Sequence, residues 1–201
     1  MNPTPVILYG DVVRLEPLDH RHAQEFLEAG QDDAIWRFMP VPRPKTLADV
    51  TSLIDKAWKA AAEGAEVPFA IMDDRTDKVI GSTRFLEIRR PDRALEIGWT
   101  WLTVSAQRTA ANTECKLLLL KHCFEELGAL RVQLKTDSRN EPSQRAIERI
   151  GAVREGVLRH HRLTWDGKYR DTMYYSVLEP EWPAVKERLL SFLSRGSSVG
   201  H

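Results

Sequence analysis

VSAQRTAANTECKLLLLKHCFEEL, running from Val104 to Leu127, sets a short polar turn between an apolar strand and a long helix. The turn is Gln107-Arg108-Thr109-Ala110-Ala111-Asn112, a run of small and polar residues. A strand that ends in such a run and opens a helix offers several unpaired backbone N–H groups. The helix dipole adds partial positive charge at the same point, which suits a phosphate. Pyrophosphate binding at this turn is therefore the first functional expectation.

The flanking sequence predicts the rest of the order. Val12–Leu18 alternates as a strand, and His20–Ala29 reads as a helix capped by Asp19. Gln31–Lys45, with its prolines and the cluster Trp36-Arg37-Phe38-Met39, reads as an ordered loop; Thr46–Glu63 is a second helix ending at Gly64. Strands follow at Val67–Met72, Lys78–Ile88 and Leu95–Val104, the first two joined by the turn DDRTD. Beyond the long helix come a strand at Arg131–Thr136, a helix at Asn140–Ile150 with Pro142 in its first turn, and strands at Ala152–Leu163 and Tyr169–Leu178. This order predicts a mixed α/β or α+β sheet of about seven strands with helices on its faces.

The chain of 201 residues suits one domain, with its core from about 10 to 180 and a loose tail from Ser194 to His201. Its 29 basic and 29 acidic residues balance, so no general attraction to nucleic acid or anionic lipid is expected. Arg89, Arg90 and Arg93 read as a solvated surface, with a local basic patch as the alternative. No apolar run approaches the ~20 residues that span a bilayer, and MNPTPVILYG carries no export pattern, so the expected compartment is the cytoplasm. Cys115 and Cys123 stand about 12 Å apart along one helix, too far for a disulfide, and read as buried thiols.

Glu96 lies in LEIGWTWL, an otherwise apolar strand. Burial would raise its pKa toward that of a general base near neutral pH; a solvent-facing or salt-bridged glutamate is the alternative. Gly98 could permit a bulge that splays this strand from its neighbour and frees backbone N–H groups. Asn140 and Ser143 open a helix as N-x-x-S, either as a cap or as groups offered to a ligand. No histidine, cysteine and carboxylate set has metal-like spacing, and no G-x-S-x-G is present, so neither a metal nor a covalent nucleophile is expected.

Together EIGWTWL, the Gln-x-x-Ala-x-Asn turn, NEPS, IERIGAVREGVLR and WDGKYRDTMYYSVL resemble the GNAT superfamily of acyl-CoA-dependent N-acyltransferases, in its RimJ/RimL-type branch. The resemblance runs from about Val12 to Leu178 and implies a twisted, mostly antiparallel sheet with a splayed strand pair for CoA. It implies acetyl-CoA as co-substrate, held by Gln107, Arg108, Thr109, Ala110, Ala111, Asn112 and Thr113 at the pyrophosphate, by backbone near Leu102 and Val104 along the pantetheine, and by Asn140 opposite. Ala110 and Asn112 depart from the family's glycine-rich loop; Asn112 would cap the helix instead. Glu96 falls on the family's strand glutamate as base, and Ser143 on the hydroxyl that protonates the thiolate, with Tyr174 or Tyr175 in reserve. Trp36, Phe38 and Tyr174, with Arg170 and Asp171, would line the acceptor pocket; core packing for the Trp36-Phe38-Met39 cluster, and a surface ion pair or turn packing for Arg170 and Asp171, are the alternatives. The acceptor expected is a protein N-terminal α-amine or a small primary amine. An aminoacyl metabolite or antibiotic, or a non-catalytic CoA-binding assembly module, are the alternatives. A homodimer using Trp182 and Pro183 also fits the resemblance.

Overall fold

The computed structural model describes residues 1–197. Eight strands form one sheet in the order β1-β2-β3-β4-β5-β6-β8-β7. They are β1 (Leu8–Tyr9), β2 (Val13–Pro17), β3 (Val67–Asp73), β4 (Lys78–Arg89), β5 (Ala94–Leu102), β6 (Arg131–Asp137), β7 (Val153–Leu163) and β8 (Tyr169–Leu178). Only β5 and β6 pair in parallel; every other neighbour is antiparallel. The strand beyond the seven expected is β1, two residues that pair with Arg14 and Leu15 at the sheet edge.

Among the described residues six helices cover the sheet: α1 (Ala23–Ala29), α2 (Asp33–Trp36), α3 (Leu47–Ala62), α4 (Ala110–Lys121), α5 (Glu141–Arg149) and α6 (Trp182–Ser197). Alternation along the strands divides the core. Leu15, Phe69, Phe85, Leu95 and Ile97 pack under α4, α5 and α6; Ala70, Met72, Val79 and Trp101 pack under α1, α2 and α3. Thr46 closes a capping box with Asp49 before α3, and Gly64 takes the left-handed backbone that follows its end. Asp19 caps a 3₁₀ turn, His20–His22, that leads into α1.

Two expectations change here. Ser194–Ser197 of the expected tail is helical, because α6 continues to Ser197 and buries Trp182, Val185 and Leu189; residues 198–201 lie outside the described residues. Trp182 stacks on Phe124 at 5.5 Å and donates its indole N–H to Glu125, so its side chain serves the core and is not offered to an interface. Cys115 and Cys123 are both buried free thiols.

Candidate active site

β5 and β6 pair only from Ala94–Glu96 against Arg131–Gln133. Beyond that point β5 stays with β4 as far as Leu102, while β6 follows β8 as far as Asp137. Two open backbone edges therefore face each other across a gap. A bulge on β5 opens it: Arg84 pairs with Gly98 and Ser82 with Trp101, leaving β5 one residue longer, and Trp99 takes a φ of 52°. The bulge falls one residue past Gly98. A Cβ at Gly98 would stand 2.7 Å from Glu96 Oε1 and 3.0 Å from Leu86 Cδ2, so a side chain there would push the carboxylate from its place. The Arg84 guanidinium, paired with Glu66 at 2.8 Å, lies 4.1 Å over the Trp99 ring and fixes the bulge.

The turn from Thr103 to Ala110 closes the β5 side of the gap. Strand β5 ends at Leu102, short of the expected Val104, which begins a 3₁₀ turn and is half exposed. Gln107 Nε2 donates to the Leu102 carbonyl at 3.1 Å and ties the turn back to the strand. Arg108 carries the left-handed backbone, with φ 59°. Thr109, rather than Asn112, is the N-cap of α4: its hydroxyl accepts from the Ala111 N–H, and Asn112 sits within the first helical turn. The amides of Arg108, Thr109, Ala110 and Asn112 have no acceptor among the described residues. Three consecutive free N–H groups, beginning at a left-handed residue and leading into a helix N-terminus, form an anion-binding concavity. Thr113 contributes backbone alone, since its buried hydroxyl accepts from Arg149.

Across the gap, β6 leads into α5. Asn140 caps that helix by accepting from the Ser143 N–H at 3.2 Å, and its amide nitrogen has no partner among the described residues. The Ser143 side chain is half-buried at the helix start.

Glu96 is 4% exposed. Its Oε2 accepts from Lys135 Nζ at 2.7 Å and from Gln133 Nε2 at 3.1 Å. Burial pushes the carboxyl above its ordinary pKa, and Lys135 only partly opposes this. Lys135 reaches Glu87 as well, at 2.5 Å, and lies 5.3 Å from the Tyr174 ring centre. Sequence reading missed both Lys135 and Glu87. Their one signal was alternation: Gln133 and Lys135 share a strand face that registers with Glu96.

Tyr174 faces this cluster, whereas the fully buried Tyr175 donates its hydroxyl to Glu148 on the opposite side. Trp36 is 3% exposed, packed against Trp101 at 5.4 Å with its indole N–H on the Gly30 carbonyl, so it belongs to the core rather than to a pocket wall. Phe38 does line one: a cavity of about 190 Å³ bounded by Arg37, Phe38 and Met39, by Asp137 and Arg139 after β6, and by the hairpin tip at Thr164–Lys168. Arg170 is largely buried, with a buried Nε that lacks a partner among the described residues, and Asp171 accepts from the His160 N–H. A larger cavity of about 420 Å³ lies between α1 and the far end of β5, against Glu25, Asp32 and Val104. The strand from Ile97 to Leu102 separates that end from Glu96, so it is remote from the carboxylate. Among the described residues no cluster of three or more histidines, cysteines or carboxylates could hold a metal, and no helix is long and apolar enough to cross a membrane.

Residues 13–153 match the family described as Acetyltransferase (GNAT) domain. Among solved structures, the chain is similar to a GCN5-related N-acetyltransferase from Brucella melitensis, at 32% identity and TM-score 0.90, over 96% of this chain and 87% of that one. It is 41% identical to an inferred acetyltransferase from T. thermophilus, with TM-score 0.87, over 96% of this chain and 100% of that one. Mycobacterium smegmatis RimJ, in complex with CoA-disulfide, shares the fold at TM-score 0.80 and 22% identity, over 94% of each chain.

Proposed function

The chain belongs to the GNAT acetyltransferase family, and on that premise we propose that it transfers an acetyl group from acetyl-CoA to a primary amine by direct attack in a ternary complex. The acceptor in this reading is a protein N-terminal α-amine or a small amine. The observation that carries the reading is the buried Glu96 carboxylate, standing where β5 and β6 part.

Acetyl-CoA suits the gap on three counts. The free amides of Arg108, Thr109, Ala110 and Asn112 would hold the pyrophosphate, and the open edge of β5 toward Leu102 would pair with the pantetheine. Asn140 would donate its free amide from the β6 side. When bound, acetyl-CoA supplies an activated thioester carbonyl.

The chain's own residues do the rest. An α-amine has a pKa near ~8, so it arrives mostly as ammonium and must lose a proton before it can attack. Glu96, its carboxyl raised by burial, takes that proton directly or through water. Backbone N–H groups at the bulge, near Trp99, stabilise the developing oxyanion. Ser143 gives a proton to the departing thiolate; Tyr175 is engaged with Glu148 and is not available for this. The 190 Å³ cavity, closed by Phe38 and the hairpin tip, receives the acceptor.

Calorimetric titration with acetyl-CoA tests the cofactor part: one-site micromolar binding is expected, and none at millimolar ligand would overturn it. Thiol release with a panel of short peptides and small amines then tests the base. Glu96→Gln should slow transfer by about 10²–10⁴-fold at neutral pH while binding acetyl-CoA normally. An unchanged rate and pH profile would remove Glu96 from the mechanism.

A further inference from the structure

The two donors that hold Glu96 also hold a second carboxylate. Gln133 Nε2 stands 2.8 Å from Glu87 Oε2 and 3.1 Å from Glu96 Oε2. Lys135 Nζ stands 2.5 Å from Glu87 Oε1 and 2.7 Å from Glu96 Oε2. Both donors are therefore shared. Glu87 reaches them only because β4 is irregular between Leu86 and Arg89, where Glu87 takes a φ of 48°. Left-handed backbone is costly for a glutamate and persists where its surroundings demand it.

We propose that Glu87 is a positioning residue for Glu96: by sharing Lys135 and Gln133, it prevents Lys135 from neutralising the buried carboxylate alone and so keeps Glu96 able to accept the amine proton. This inference rests on the reading of Glu96 as the base.

The neighbouring charges leave Glu87 as the group that can do this. On the same face Arg84 is paired with Glu66, and Arg162 lies 3.7 Å from Glu87. Arg170 and Tyr174 on β8 and His161 on β7 make no hydrogen bond to Glu96 among the described residues. Two carboxylates on one ammonium divide their roles, the buried one becoming the better base and the outer one staying ionised. The directions agree. Burial raises Glu96, and Glu87 adds to that; burial acts on Glu87 too, but Lys135, Gln133 and Arg162 outweigh it and hold its carboxyl low.

The test follows the side-chain carboxyl carbons of the full-length protein, labelled with ¹³C-glutamate, by NMR from about pH 4 to 9, a span that covers a raised carboxyl. Loss of a signal in Glu96→Gln assigns Glu96. Asparagine and aspartate both tolerate the left-handed backbone, so Glu87→Asn removes the charge and Glu87→Asp keeps it. The Glu96 midpoint should fall by about one pH unit in Glu87→Asn, and by less than about 0.3 in Glu87→Asp. A midpoint unmoved in Glu87→Asn overturns the proposal. If Glu87→Asn does not fold, Lys135→Met decides: the Glu96 and Glu87 midpoints should rise together, and a rise at Glu96 alone overturns the sharing. Transfer rates separate this inference from its premise. An undiminished rate in Glu96→Gln would sink the base role and with it the purpose assigned to Glu87. An unmoved midpoint beside a crippled Glu96→Gln would overturn the role of Glu87 only.

Discussion

Arg108 carries the left-handed backbone of the turn, at φ 59°, and thereby lets Ala110 enter α4 as an ordinary first helical residue. The glycine that the family's loop usually holds is therefore not required at position 110, because the unusual dihedral lies two residues earlier. Ala110→Gly should leave acetyl-CoA affinity within about threefold and cost up to ~1 kcal/mol of stability, since glycine is the poorer helix former. Arg108→Asn should keep the turn. Arg108→Val, with a branched Cβ at positive φ, should weaken binding about tenfold or more. Titration calorimetry across the three variants checks the order.

Lys116 Nζ donates to Thr100 Oγ1 at 2.8 Å, and Thr100 in turn meets Thr83 at 2.8 Å; no carboxylate among the described residues joins the group. The side chain is 6% exposed, and burial lowers its pKa. The folded state thus disfavours the charged amine that the unfolded chain carries up to pH near 10.5. Between the depressed native pKa and that value the unfolded chain binds more protons, so wild-type stability rises with pH in that window. Lys116→Met should stabilise the protein by about 1–2 kcal/mol at neutral pH, and the advantage should shrink toward pH ~10. Urea unfolding at several pH values reads this; a constant difference would refute the sign.

Glu114 fastens α4 to the first strands. Its buried carboxylate accepts from the backbone N–H groups of Asp11, Val12 and Val13 at 3.0, 2.7 and 2.7 Å. Glu114→Gln keeps the shape but turns an amino group toward those donors. It should cost about 2–4 kcal/mol, a fall in Tm of roughly 5–15 °C for a chain of this size, with acetyl-CoA affinity little changed once folded. Thermal unfolding with and without acetyl-CoA separates the two effects.

Local signals carried most of this molecule. Helix caps at Asp19 and Asn140, the alternation of β2 and β6, and the small-residue turn after β5 each depend on residues adjacent in sequence. Glu96 was legible for the same reason, as one acid in an apolar strand. Lys135 and Glu87 were not. Their meeting with Glu96 needs the parallel register of β5 on β6 and an irregularity in β4, neither of which is written locally. The cap of α4 was misjudged because Thr109 and Asn112 are both good capping residues, and the left-handed Arg108 decides between them. Helix α6 had a readable stripe in Trp182, Val185 and Leu189, spaced to one face. Trp36 and Phe38 could not be told apart in sequence, since only tertiary packing turns one inward and leaves the other at a cavity.

That division gives the proposed acceptor pocket its sharpest test. Trp36 packs on Phe26 and Trp101 beneath α1, and Trp36→Ala should cost about 3–5 kcal/mol by opening a cavity there. Phe38 lines the 190 Å³ cavity with Met39 and Trp165, and its half-buried ring has less of the core to lose. Phe38→Ala should therefore fold nearly as stably as wild type, bind acetyl-CoA normally and raise the acceptor KM about tenfold, with kcat changed far less. Steady-state kinetics with acetyl-CoA saturating, set beside thermal unfolding, read the two halves independently. If Phe38→Ala left the acceptor KM untouched, the acceptor would have to enter elsewhere on the Glu96 face, such as beside Tyr174 on β8.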